Sequence, residues 1–265
     1  MVRPKNISET VKKNVHIRRL YTLMSRSAYF PPAVVLVAIL VITIWPWQNA
    51  RQARQTNFDQ MLREKIETVE ADLSERFGVY HTSLQSGAGL FQADSNTTRD
   101  QWNAFFSYKQ RTTNRAGIQG TGFSKVFSAA EYPQLQAKMA SEGVPNFAVR
   151  PNTLDPDMNS AVLYLFSATS SNNSTAIGFN MLSESRRKEA MVRAMESSQA
   201  ALTRKLTLVQ DVKTADNQGF LLYVPVYKNG ADTSTPAARR AAIDGFVYGG
   251  FRANILFGQI LGDQS

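Results

Sequence analysis

Tyr29 to Trp47 reads YFPPAVVLVAILVITIWPW, nineteen residues without a charge. At about 1.5 Å of rise per residue, a helix of that length spans about 28 Å, one hydrocarbon core. Tyr29 and Phe30 mark one end and Trp45 and Trp47 the other, where an aromatic belt meets the two interfaces of a bilayer. Pro31 and Pro32 fall in the first turn, where a missing N–H costs nothing. The stretch therefore reads as a transmembrane helix, residues 29–47, that divides a short head from a long body.

Outward from that helix the charge is uneven. Residues 1–28 carry Arg3, Lys5, Lys12, Lys13, Arg18, Arg19 and Arg26 against the single acid Glu9. Just after the apolar run come only Arg51 and Arg54. The positive-inside bias puts this basic head in the cytoplasm and the body on the periplasmic or extracellular side of an inner or plasma membrane. A cleaved signal peptide is the competing reading, but the basic region is long and Trp-Pro-Trp makes a poor small-residue cleavage site. Most of the net charge of +9 belongs to this head: from Gln48 onward 23 basic residues stand against 20 acidic. No basic stripe remains to suggest nucleic acid as a partner.

Beyond the span, residues 51–84 read as one long helix. Phe58, Leu62, Ile66, Val69, Leu73, Phe77, Tyr80 and Leu84 recur at spacings of four and three, with Glu64, Lys65, Glu67, Glu70, Asp72, Glu75 and Arg76 on the other sides. Such a face either packs on its own domain or forms the seam of a homodimer that carries a signal toward the membrane, and one stripe can do both along its length.

Residues 85–265 have the composition of a globular body, in a chain that is 43% apolar and 10% aromatic. Helical patterns cover Arg99–Thr113, Ser128–Ser141 and Ser183–Ser198. Strand patterns cover Phe123–Phe127, Phe147–Arg150, Ala161–Ser167, Ala176–Phe179, Ala201–Val209, Gly219–Tyr227 and Gly245–Arg252. SSNNST at Ser170–Thr175 reads as a loop and Asp232–Ala238 as a flexible connection. Helices interleaved with strands give an α/β or α+β body; we take α+β.

Several chemistries find no support. The chain has no Cys, which removes disulfides, thiolate metal sites and a cysteine nucleophile. The body holds one His, His81, too few for a His-based zinc site, and no Gly-x-Ser-x-Gly elbow accompanies it. Asp155, Asp157 and Asn159 begin like a calcium loop, but Ser160 stands where the turn needs Gly and Phe166 where it needs Glu. Gly117, Gly120 and Gly122 lack the Gly-Lys-Ser/Thr of a phosphate loop and read as a turn before a strand. Arg186, Arg187 and Lys188 open a helix against its dipole and read either as a solvated face or as a face for an anion. No metal, cofactor or catalytic residue is expected.

Three segments in order, IGFNMLSESRRKEAMVRA at Ile177–Ala194, GFLLYVPVY at Gly219–Tyr227 and GFVYGGFR at Gly245–Arg252, resemble CHASE domains. These are the extracytoplasmic sensors of many histidine kinases and diguanylate cyclases, and of plant cytokinin receptors. The resemblance runs diffusely from about Phe77 to Leu261. It implies a long membrane-proximal helix followed by two PAS-like antiparallel sheets with flanking helices, and a small-molecule ligand held in the membrane-distal sheet. It also implies a second membrane helix and a cytoplasmic output domain beyond Ser265, so that the chain reads as a truncated receptor.

In cytokinin-binding members an Asp reads the adenine ring, and its place falls on Asn180. An amide both donates and accepts, so its preference would differ from that of a carboxylate. The family's Leu-Thr pair falls on Leu202 and Thr203. The expected ligand-binding set is Asn180, Leu202, Thr203, Phe179, Tyr164, Phe220 and Leu222. Asn180 has a second reading as a helix cap, and Phe179, Leu202 and Leu222 as plain core. The expected partners are a small molecule, adenine-like or of another class, the membrane and a second copy of the chain. The rival functions are a sensor for a protein partner and a membrane-anchored enzyme.

Overall fold

A computed structural model describes residues 30–112, 118–167, 175–209, 218–255 and 258. The basic head, the Ser170–Ser174 part of the expected loop, Gly117 and most of the Ile255–Leu261 stretch lie outside them. The chain divides into two compact units, Met1–Glu67 and Thr68–Ser265.

Helix α1 covers Phe30–Ala93 and contributes to both units. It runs past the expected stop at Leu84 and has no break at residues 48–50, although Pro46 lies inside it. In the first unit, Pro31–Gln48 is long and apolar enough to cross a membrane, with a mean hydropathy of 1.7 and no residue buried. Within it the Thr43 hydroxyl donates to the Ile39 carbonyl at 2.7 Å, so that hydroxyl is satisfied along the helix. Phe58, Leu62 and Ile66 are 63%, 48% and 55% exposed.

The second unit is built on a six-stranded antiparallel sheet. Its strands are β1 (Ile118–Phe127), β2 (Asn159–Phe166), β3 (Ala201–Leu202), β4 (Leu206–Thr207), β5 (Gln218–Tyr227) and β6 (Ile243–Arg252). The order is β2-β1-β6-β5-β3, with β4 also on β5. Among the described residues there is one sheet where two were expected. The segments at Phe147–Arg150 and Ala176–Phe179 contribute single bridges, Arg150 to Phe179 and Ala161 to Asn180, instead of strands. The expected strand over Ala201–Val209 is two short pieces; after the first, Thr203 stays bonded to β5, with its hydroxyl accepting where a ladder carbonyl would.

Both faces of the sheet are covered, which the alternation along β5 requires. Leu222, Val224 and Val226 point to one side, under Tyr80, Leu84 and Phe91 of α1, Trp102 and Phe106 of α2 (Arg99–Thr112), and Leu135 and Met139 of α3 (Tyr132–Ser141). Leu221 and Tyr223 point to the other side, under Ala190, Met191, Ala194 and Met195 of α4 (Ser185–Ser197). The stripe on α1 is thus divided in use: its C-terminal half packs on the sheet, and Phe58 to Ile66 stays bare. A further helix, α5 (Pro236–Ala242), begins within the expected flexible connection and runs past it. Thr235 caps it and Pro236 occupies its first position.

Gly120 and Gly122, expected in a turn, lie within β1. Gly122 faces Tyr248 of β6, and a Cβ there would sit 2.4 Å from the phenol oxygen, so glycine makes room for that ring. A bulge follows: Phe123 pairs with Tyr164 and Ser124 with Val162, leaving Leu163 as the extra residue. The bulge shifts the phase of β2, and Leu163 and Tyr164 both join the α1 side.

Candidate functional site

The seven residues expected to bind ligand are spread over both sides of the sheet. Phe179 lies on the α4 side of the sheet, Asn180 bridges Ala161 at the edge of β2, and Tyr164, Phe220 and Leu222 pack on the α1 side. Leu202 pairs with Leu222 at the sheet edge and is 37% exposed. Thr203 is buried and extends that edge: its N–H donates to the Leu221 carbonyl at 2.8 Å, and its hydroxyl accepts from Leu221 N at 2.9 Å. Phe220 stacks on Phe251, ring centroids 5.3 Å apart, against Phe77 of α1. The Tyr164 hydroxyl lies 3.1 Å from the Thr97 carbonyl and 3.0 Å from Glu142 Oε1. Burial and the neighbouring carboxylate push its pKa above the ordinary phenol range. The strand bulge is the reason Tyr164 lies on the α1 side, away from Phe179.

Asn180 closes the edge of β2. Its Oδ1 accepts from Ser160 N at 3.0 Å and from Leu182 N at 3.3 Å, and its Nδ2 donates to Asn159 Oδ1 at 3.1 Å. It caps the 3₁₀ turn Met181–Ser183. The strand continues the arrangement: Val162 N donates to the Phe179 carbonyl at 3.1 Å. The outward amides of an edge strand are thereby satisfied inside the protein. Asn180 Oδ1 and one of its Nδ2 hydrogens are thus engaged by the chain itself.

Arg187 departs from both readings of the basic run. It is only 4% exposed. Its guanidinium donates to Glu184 Oε2 at 3.3 Å and to the Thr207 carbonyl at 2.8 Å, and lies 5.1 Å from the centre of the Phe179 ring. Glu184 caps α4 by accepting from Arg186 N and Arg187 N, both at 3.1 Å, which places an acid where the helix dipole favours one and offsets the basic first turn. Tyr223 is fully enclosed on this face, its hydroxyl 3.5 Å from the Met181 sulfur, and burial raises its pKa. The α4 side is therefore packed with its own tyrosines and arginine.

The calcium-like segment satisfies itself. Asp155 Oδ1 accepts from Asp157 N at 2.9 Å and Met158 N at 3.1 Å, which lowers its pKa, and Asn159 Oδ1 accepts from Asp155 N at 2.9 Å. Among the described residues no group of three or more His, Asp or Glu is placed to hold a metal ion.

An open cleft of about 360 Å³ lies instead on the α1 side, between α1 and the far end of β5. Val224, Pro225 and Val226 line it from the sheet, His81, Gln85, Gly89 and Gln92 from α1, and Gln199 and Ala200 from the link between α4 and β3. Its volume falls in the range of small-molecule sites. None of these α1 or linker residues was singled out for binding from the sequence. The signal was present as a second helical stripe, His81, Gln85, Ala88, Gly89 and Gln92, polar or small where the neighbouring stripe is apolar.

No curated relative matches the chain at a significant level. The CHASE domain family matches residues 95–265, which span α2 through β6. The chain belongs to the CHASE family, the extracytoplasmic sensory domains of membrane signalling receptors.

Proposed function

We propose that this chain is the small-molecule-sensing input of a transmembrane receptor of the histidine kinase or diguanylate cyclase class. It has no catalytic activity of its own, its N-terminus is cytoplasmic, and it works as a homodimer. The family match over residues 95–265 carries the reading. The uncovered apolar span at Pro31–Gln48 supports membrane anchoring, and the bare residues Phe58, Leu62 and Ile66 support a helix–helix contact with a second copy. The open cleft favours a small molecule over a protein partner. A ligand signals only by binding two arrangements of the dimer unequally.

The test is thermal unfolding of the full chain in lipid nanodiscs against a small-molecule panel that includes N6-substituted adenines. A ligand at 100 times its dissociation constant adds about 2.7 kcal/mol to the native state. For a unit of about 200 residues that raises the midpoint by roughly 5–11 °C. A shift with one compound class supports sensing and names its ligand. No shift with any compound would sink the proposal and turn the search to protein partners.

A further inference from the structure

The edge of the sheet beside α1 changes character at Tyr223. Strand β3 ends there, with Ala201 opposite Tyr223, so β5 from Val224 onward has no β3 residue beside it. Pro225 sits in this stretch and has no N–H to leave unpaired. The gap is the cleft of about 360 Å³. Gln92 Nε2 closes one end by donating to the Tyr227 carbonyl at 2.8 Å, and Asn229 Nδ2 donates to the Gln92 carbonyl at 2.9 Å. The space is kept by small residues: a Cβ added at Gly89 would meet nothing within 4 Å.

The chemistry of the lining is narrow. It carries three carboxamides, Gln85, Gln92 and Gln199, with His81 and the hydroxyl residues Ser198 and Tyr227, over an apolar floor, and no Lys, Arg, Asp or Glu. A carboxamide presents a donor beside an acceptor and pairs in parallel with another amide edge. A charged ligand would lose hydration here and find no opposite charge. We infer that this cleft binds a small uncharged molecule with an amide-type edge, such as a pyrimidine base, a lactam or a primary amide. This inference rests on the sensor reading and adds to it a site and a ligand class. Its position makes binding tie α1, β5 and the α4–β3 link together.

The test uses the full chain in nanodiscs with two matched pairs, uracil against orotate and nicotinamide against nicotinate, at millimolar concentration. The members of each pair differ by a carboxylate. The uncharged members are expected to slow hydrogen exchange in residues 81–92 and 198–202 and to raise the unfolding midpoint; the acids are expected to do neither. Gly89→Leu fills the cleft from an exposed helical position and should keep its fold while losing this binding at least tenfold. Gln85→Ala should weaken it by roughly five- to tenfold, the worth of about one hydrogen bond. Equal or tighter binding of the acids, or failure of both uncharged probes in a chain whose midpoint other compounds raise, overturns the ligand class. Undiminished binding to Gly89→Leu overturns the site and leaves the sensor reading standing. A chain that responds to no compound at all loses both.

Discussion

Replacing Asn180 by Ala separates a structural clasp from a ligand reader. The side chain is 4% exposed and makes three hydrogen bonds, to Ser160 N, Leu182 N and Asn159 Oδ1. Asn159 keeps its own pairing with Asp155 through both its oxygen and its nitrogen, so little is lost there. Ser160 is fully buried, and its outward N–H would lose its partner. Leaving a buried donor unsatisfied costs about 1–3 kcal/mol, and losing the cap on Leu182 about 1 kcal/mol more. A loss of about 2–4 kcal/mol lowers the midpoint of a unit this size by roughly 5–15 °C. Asn180→Asp should recover only part of this. The carboxylate still accepts from both amides, but it sets an acceptor against Asn159 Oδ1. Differential scanning calorimetry of the full chain measures the midpoint, and ligand titration at a temperature where both proteins are folded measures affinity. Affinity is expected to stay within about twofold. A midpoint within 2 °C of wild type, together with abolished binding, would refute the clasp and restore Asn180 as a contact to ligand.

Gly122→Ala should destabilise by about 1–3 kcal/mol through overpacking on the Tyr248 ring, and Tyr248→Leu in the same chain should recover part of that loss in a urea double-mutant cycle. Glu131 accepts from Ser128 N at 2.7 Å and from the Ser128 hydroxyl at 2.9 Å, and these bonds lower its pKa. A depressed carboxyl stabilises above its unfolded pKa of about 4.3, and the contribution is lost as pH falls through the folded value. Glu131→Gln should therefore match wild type in acid and fall behind as pH rises through that window, read by unfolding midpoints across pH. Leu62→Glu, at an exposed position outside the sheet unit, should shift the chain from dimer to monomer in sedimentation while leaving the midpoint of the second unit unchanged.

The apolar helix at Pro31–Gln48, the helical stretch after it, the α+β class and four of the strands were legible in the sequence because each rests on a local pattern. Nineteen uncharged residues make a helix long and apolar enough to cross a membrane. The 4-4-3 spacing from Phe58 to Leu84 admits only a helix, and GFLLYVPVY alternates between two buried faces. The family resemblance also lay within the chain's own segments, from Ile177 to Arg252. Tertiary structure decided what those elements touch. One bulge between Phe123 and Ser124 sends Tyr164 to the face opposite Phe179, and no propensity along β2 marks it. Arg187 looks like a solvated cation until Glu184, Thr207 and Phe179, drawn from the cap, β4 and a turn, close around it. The cleft exists because β3 ends one residue pair short of Val224 while α1 presents small and amide residues opposite. A void is the absence of atoms from several separate segments, so no single stretch of sequence encodes it.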